Sequence, residues 1–176
     1  QLNQRISSFD FPVYLAAEWG QVDRLLKLLE SGNTSKLRKL TILSVLSDLS
    51  ANEALPHLTE IMKEKELVQE VISALTGVGP DSIPILIDLF KNSNQIEIRA
   101  AAAATLGNVA GASGDSSALP PLQHYLKETL KNMKTSADIN FKILIPVVWS
   151  LGKLLDDGSI EPLAELNDRV WLINDN

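Results

Sequence analysis

Apolar residues along the chain recur with helical period, and no stretch alternates in the way a half-buried strand requires. Four stretches end alike, in a small-x-Leu-x-x-apolar pattern: Ser44-Val45-Leu46-Ser47-Asp48-Leu49, Ser73-Ala74-Leu75-Thr76-Gly77-Val78, Ala104-Thr105-Leu106-Gly107-Asn108-Val109 and Trp149-Ser150-Leu151-Gly152-Lys153-Leu154. Each is followed, after a short polar break, by a second stretch with its own signature. These read Ala54-Leu55-Pro56-His57-Leu58, Ser82-Ile83-Pro84-Ile85-Leu86, Ala118-Leu119-Pro120-Pro121-Leu122 and Ser159-Ile160-Glu161-Pro162-Leu163. Proline is tolerated in a first helical turn, where its missing N–H has no intrahelical partner anyway. Asp81, Asp115 and Asp157 precede three of these second helices and suit N-caps or first-turn dipole partners.

A degenerate unit precedes the four: Val22 to Glu30 aligns with the second helices, and Phe11 to Trp19 would be its first helix. The pattern predicts helices over 11–19, 22–30, 36–49, 53–64, 66–78, 82–92, 96–110, 117–133, 138–155 and 159–167. The aligned leucines Leu46, Leu75, Leu106 and Leu151 stand 29, 31 and 45 residues apart. Near 30 residues, two helices and their turns fill the unit, so neither can bury its apolar stripe alone and neighbouring hairpins must stack. The expected fold is all-α: an α-α superhelix, or solenoid, of about four to five helical hairpins forming a single domain over 1–176. A cap repeat takes 1–33, and repeats follow at 36–65, 66–93, 95–133 and 137–170. Asn167 to Ile173 reads as the start of a further repeat. With the missing initiator Met, it points to a piece of a longer protein.

Aligning the second helices also predicts their exposed face. Five residues beyond Val22, Leu55, Ile83, Leu119 and Ile160 stand Lys27, Glu60, Asp88, His124 and Glu165; eight beyond stand Glu30, Lys63, Lys91, Lys127 and Asp168. Columns three apart are neighbours on one helical face. The plain reading is intrahelical pairing, Glu60 with Lys63 and Asp88 with Lys91. The functional one is a charged groove that sets a partner's register and on-rate. Glu60, Lys63, Asp88, Lys91, His124, Lys127 and Glu165 are the partner-binding candidates.

Composition narrows the classes. Hydrophobic residues make up 45% and aromatics 5%, which favours close-packed helices over a β-sandwich. A net charge of −6 leaves no cationic surface for nucleic acid. No apolar run approaches the roughly 20 residues that span a bilayer; no membrane contact and a cytoplasmic location are expected. Without cysteine there are no disulfides or thiolate sites. His57 and His124 lie in different repeats and read as solvated, so no metal site or cofactor is expected. No nucleophile elbow or phosphate loop occurs. Ser44, Ser73 and Ser150 read as small packing positions, and no catalytic residue is assigned. Pro146 falls inside a helix, as a kink. Lys127, Lys131, Lys134 and Lys142 form the one basic stretch, read as a solvated face or a dock for an acidic partner.

Ile98-Arg99-Ala100-Ala101-Ala102-Ala103-Ala104-Thr105-Leu106-Gly107, with Gly114-Asp115-Ser116-Ser117-Ala118-Leu119-Pro120-Pro121-Leu122, resembles a HEAT repeat of the short bacterial, phycobilisome-lyase HEAT-like type. The other repeats drift; Lys39, Val68 and Leu144 stand in Arg99's column. The resemblance runs from about residue 11 to 170. It implies a right-handed superhelix with second helices lining a concave face where a protein or peptide binds. Leu15 to Asp23 also looks like an ankyrin hairpin, but it occurs once and lacks the ankyrin turn motif. The leading expectation is a non-enzymatic interaction scaffold. The alternatives are a bilin lyase or chromophore-chaperone subunit, which could grip its ligand only non-covalently, and a regulatory segment of a larger enzyme.

Overall fold

A computed structural model describes residues 13, 21–62 and 64–174. The predicted helix over 11–19 falls almost wholly outside them. Among the described residues the regular structure is entirely helical, with α1 (Val22–Glu30), α2 (Lys36–Asp48), α3 (Leu55–Ile61), α4 (Val68–Val78), α5 (Ile83–Asn92), α6 (Ile96–Ser113), α7 (Leu119–Asn132), α8 (Phe141–Leu154) and α9 (Ile160–Asn174). The chain divides into two compact units, Gln1–Ser82 and Ile83–Asn176.

Each unit has two helical layers. In the first, α2 packs along α4, while α1 meets α2 and α3, and α3 meets α4. In the second, α6 packs along α8, α5 lies on α6, and α7 lies on α8 and α9. Within each unit the first helices of two neighbouring hairpins therefore lie against each other, α2 with α4 and α6 with α8. The leucine column is the core: Leu46, Leu75 and Leu106 are fully buried, and Leu151 is 1% exposed.

Contact between first helices is close because small residues stand at the crossings. A Cβ on Gly77 would lie 2.8 Å from Ser47 Cα, and one on Gly107 would lie 2.6 Å from Ser150 Cα. Hydroxyls bridge the same contacts: Ser50 donates to the Gly77 carbonyl at 2.9 Å, and buried Ser150 to the Ala103 carbonyl at 2.7 Å. Ser44 and Ser73, expected at packing positions, are instead exposed. Each residue turns an α-helix by about 100°, so Ser47 and Gly77, three and four positions on, face the neighbour instead.

Four second helices, α3, α5, α7 and α9, begin through one device. A 3₁₀ turn (Asn52–Ala54, Pro80–Ser82, Ser116–Ala118, Asp157–Ser159) leads into it. Its last residue is small and buried: Ala54, Ser82 and Ala118 at 0% exposure and Ser159 at 1%. Proline then enters the first helical turn, at Pro56 and Pro120 among others. The small residue lets the turn sit against the core, and proline supplies a preset φ without wasting a donor.

Four boundaries differ from the sequence reading by three residues or more. α3 ends at Ile61 rather than at 64. α6 runs on to Ser113, because Gly114 rather than Gly111 takes the left-handed conformation (φ 71°) that ends it. α8 starts at Phe141, after a separate 3₁₀ turn, Ser136–Asp138. α9 continues to Asn174 as one helix, so the segment from Asn167 is not a new repeat; nothing between Asn167 and Asn174 breaks a helix.

Carboxylates hold two of the turns. Asp115 accepts from the Ser117 N–H at 2.8 Å, and Asp138 accepts from the N–H groups of Lys134 and Thr135. The Ser117 hydroxyl and N–H hold Asp115 below the usual aspartate value, and the Thr135 and Lys134 N–H groups do the same for Asp138. A depressed folded-state value means that this support is full above about pH 4 and fades as pH falls through it. Carboxyl-carbon NMR titration should place both midpoints below about 3.9, the value for an unperturbed aspartate; midpoints at or above it would show that these bonds do not form. At the last hairpin, Asp156 rather than Asp157 stands at the N-cap position, and its carboxylate accepts from the Ser159 hydroxyl at 2.9 Å rather than from a backbone N–H.

Candidate functional site

The second-helix face is exposed as expected. Glu60 on α3, Asp88 and Lys91 on α5, His124 and Lys127 on α7 and Glu165 on α9 are all open to solvent; Lys63 lies outside the described residues. Of the two expected intrahelical pairs one is revised: Asp88 accepts from Asn92 Nδ2 at 2.7 Å rather than pairing with Lys91, while the Glu60–Lys63 pair falls partly outside the described residues. His57 is not merely solvated. It is half-buried, and its Nδ1 contacts the Glu30 carboxylate, joining α3 to α1.

Within the second unit, α7 and α9 bring two of the candidates together. Lys127 and Glu165 line an open cavity of about 340 Å³, with Lys131, Glu161 and Arg169 beside them. Arg169 builds the cleft. Its Nη1 donates to the Leu130 carbonyl at 2.7 Å, and its Nη2 lies 2.6 Å from Glu165 Oε1. The Leu130 carbonyl is in the last turn of α7, where helical carbonyls lack intrahelical donors, so the guanidinium both satisfies it and pins α9. Lys131 lies 3.9 Å from Glu128, and Lys127 makes no ion pair with a described residue. The α7 wall therefore offers Lys127 to a carboxylate, with Lys131 beside it, while the α9 side carries Glu161 and Glu165. The sequence reading missed Glu161 and Arg169; the i, i+4 spacing of Glu165 and Arg169 was the available signal.

Behind the cleft the unit is fixed by an aromatic and cationic cluster. Phe90 of α5 and Tyr125 of α7 meet edge to face with centroids 5.6 Å apart. Arg99 of α6 lies over both rings, at 5.9 and 5.7 Å, and its Nε donates to the Phe90 carbonyl at 2.8 Å. Burial raises the Tyr125 phenol above its ordinary value, against the opposing pull of Arg99. Tyr125 is thus a neutral strut one residue from His124.

In the first unit the described cavities are open, and one of about 660 Å³ is lined by Asp23, Arg24 and Lys27 of α1 and by Glu53. The one beside α2 carries the Lys36–Glu66 and Lys39–Glu64 pairs, each at 2.6 Å. Lys36 lowers the Glu66 carboxyl by hydrogen bonding and charge. Among the described residues no group of three or more His, Asp or Glu side chains could hold a metal ion, and no helix is long and apolar enough to cross a membrane. No known protein family, curated protein or solved structure matches the chain.

Proposed function

We propose that the chain is a non-enzymatic scaffold, an α-solenoid of HEAT-like repeats, that takes a protein or peptide partner along its second helices. One observation carries the reading: aligned positions separate completely, with the leucine column buried and the charged second-helix columns exposed wherever they are described. The α7–α9 cleft is the part of that surface where two of the candidates, Lys127 and Glu165, line one cavity. Its cationic wall and acidic opposite side suit an extended peptide that presents a carboxylate toward Lys127 and Lys131.

The test is capture of partners from an extract of the source cells. Replacing Lys127 and Lys131 together by Glu should weaken capture at least tenfold and flatten its salt dependence, since screening acts on exposed charges. Folding should hardly change, because exposed pairs contribute little. The matched control, Lys36→Glu with Lys134→Glu, should retain the partner. Equal capture by both variants would remove the cleft from the binding surface.

A further inference from the structure

The outer face of α8 is open and partly apolar. Phe141, Ile145 and Trp149, spaced at i, i+4 and i+8, form one stripe and are 41%, 64% and 47% exposed. Ile143, Leu144, Val147 and Leu151, on the other side of the helix, are buried. The stripe is a counterpart of the face on which α6 receives α8. That contact involves Glu97, Ala103, Gly107, Asn108 and Gly111 of α6. Lys142 lies 3.6 Å from Glu97, Ser150 seats at Gly107 and Ala103, and Lys153 donates to Asn108 at 2.6 Å beside Gly111. Adding the 45 residues that separate Leu106 from Leu151 moves the first four of this set onto Lys142, Val148, Gly152 and Lys153 of α8; the fifth falls on Asp156, beyond the end of the helix. Gly152, the counterpart of Gly107, has nothing within 4 Å of where a Cβ would stand. The seat that Ser150 fills on α6 is open on α8.

We infer that α8 docks a further helix, supplied by another protein, with a small residue to seat at Gly152 and acidic residues to meet Lys142 and Lys153. The charge requirement follows from the existing interface. Its rungs join like positions of the two helices: Glu97 with Lys142, and Asn108 with Lys153. A second copy of α8 in the same parallel arrangement would set Lys142 against Lys142 and Lys153 against Lys153. Acidic residues eleven apart on a different helix complete both rungs. The Lys153 ammonium, which donates to Asn108, also lies 3.9 Å from the Trp149 ring centroid at the edge of the stripe, where a carboxylate could share it.

The probe is a carrier-fused peptide of residues 139–155 with Lys142→Glu and Lys153→Glu, which presents Ser150 as α8 presents it to α6. It should bind the intact chain at least tenfold more tightly than the unaltered peptide does. Gly152→Leu in the chain should abolish binding while keeping the fold, since the added side chain points into open space. The Lys127→Glu, Lys131→Glu chain should bind the peptide normally, which separates this surface from the α7–α9 cleft. Equal binding of the two peptides, no binding of the acidic one, or binding that survives Gly152→Leu would overturn the proposal. So would sedimentation showing the chain alone as a dimer that Gly152→Leu dissociates, because the occupant would then be a second copy.

Discussion

Leu106→Ala will lower the unfolding free energy by about 2–5 kcal/mol, and Leu75→Ala by a similar amount, the usual loss when a buried leucine leaves a cavity. Both side chains are fully buried on first helices, Leu75 in the first unit and Leu106 in the second. Neither site can collapse easily, because close crossings hold the flanking helices: Gly77 against Ser47, and Gly107 against Ser150. Urea denaturation of each variant measures the effect. If both lose less than about 1 kcal/mol, the size expected of surface changes, the leucine column is not the core.

The second large effect is a difference of sign between two glycines that the sequence makes look alike. Gly107 and Gly152 each follow the aligned leucine, in the same Leu-Gly pair. Gly107→Leu will cost about 3 kcal/mol, the upper end of the usual overpacking penalty. Its Cβ would meet Ser150 Cα at 2.6 Å, and backbone cannot rotate aside as a side chain can. Gly152→Leu will stabilise the chain by up to about 0.8 kcal/mol, because leucine is the better helix former and the space is open. Thermal unfolding of the pair decides it. Two shifts in the same direction would show that α6 and α8 do not cross at Gly107.

That pair also marks how far the sequence could be read. The leucine column, the Pro-started second helices and the helical period were legible because each is a local pattern enforced by burial or by a missing N–H. Which small residue sits at a crossing was not. One position of slip turns a side chain by about 100°, so Ser44 and Ser73 fit the alignment but face solvent, while Ser47 and Gly77 make the contact. The end of α9 was misread for a related reason: Asn167 and Asp168 resemble a break, yet Arg169 reaches the Leu130 carbonyl and holds the helix on course. The exposed columns were legible residue by residue. The α7–α9 cleft was not, because Lys127 and Glu165 stand 38 positions apart and only packing brings them to one cavity.

The hydroxyl of Ser150 has a consequence for exchanging hairpins between proteins of this kind. A face of alanines and leucines fixes how near two helices lie but scarcely resists sliding. Ser150 is different, since it is fully buried and its hydroxyl rests on one carbonyl, that of Ala103. A slide of one residue, about 1.5 Å along the axis, would strand that donor at a cost of about 1–3 kcal/mol. The serine and the glycine facing it work as a detent, a matched pair that admits one setting. A grafted α8–α9 hairpin would keep its register only if the receiving helix offered a glycine and an open carbonyl at the same spacing. Apolar surfaces could be exchanged freely; the Ser150–Gly107 pair would have to travel together.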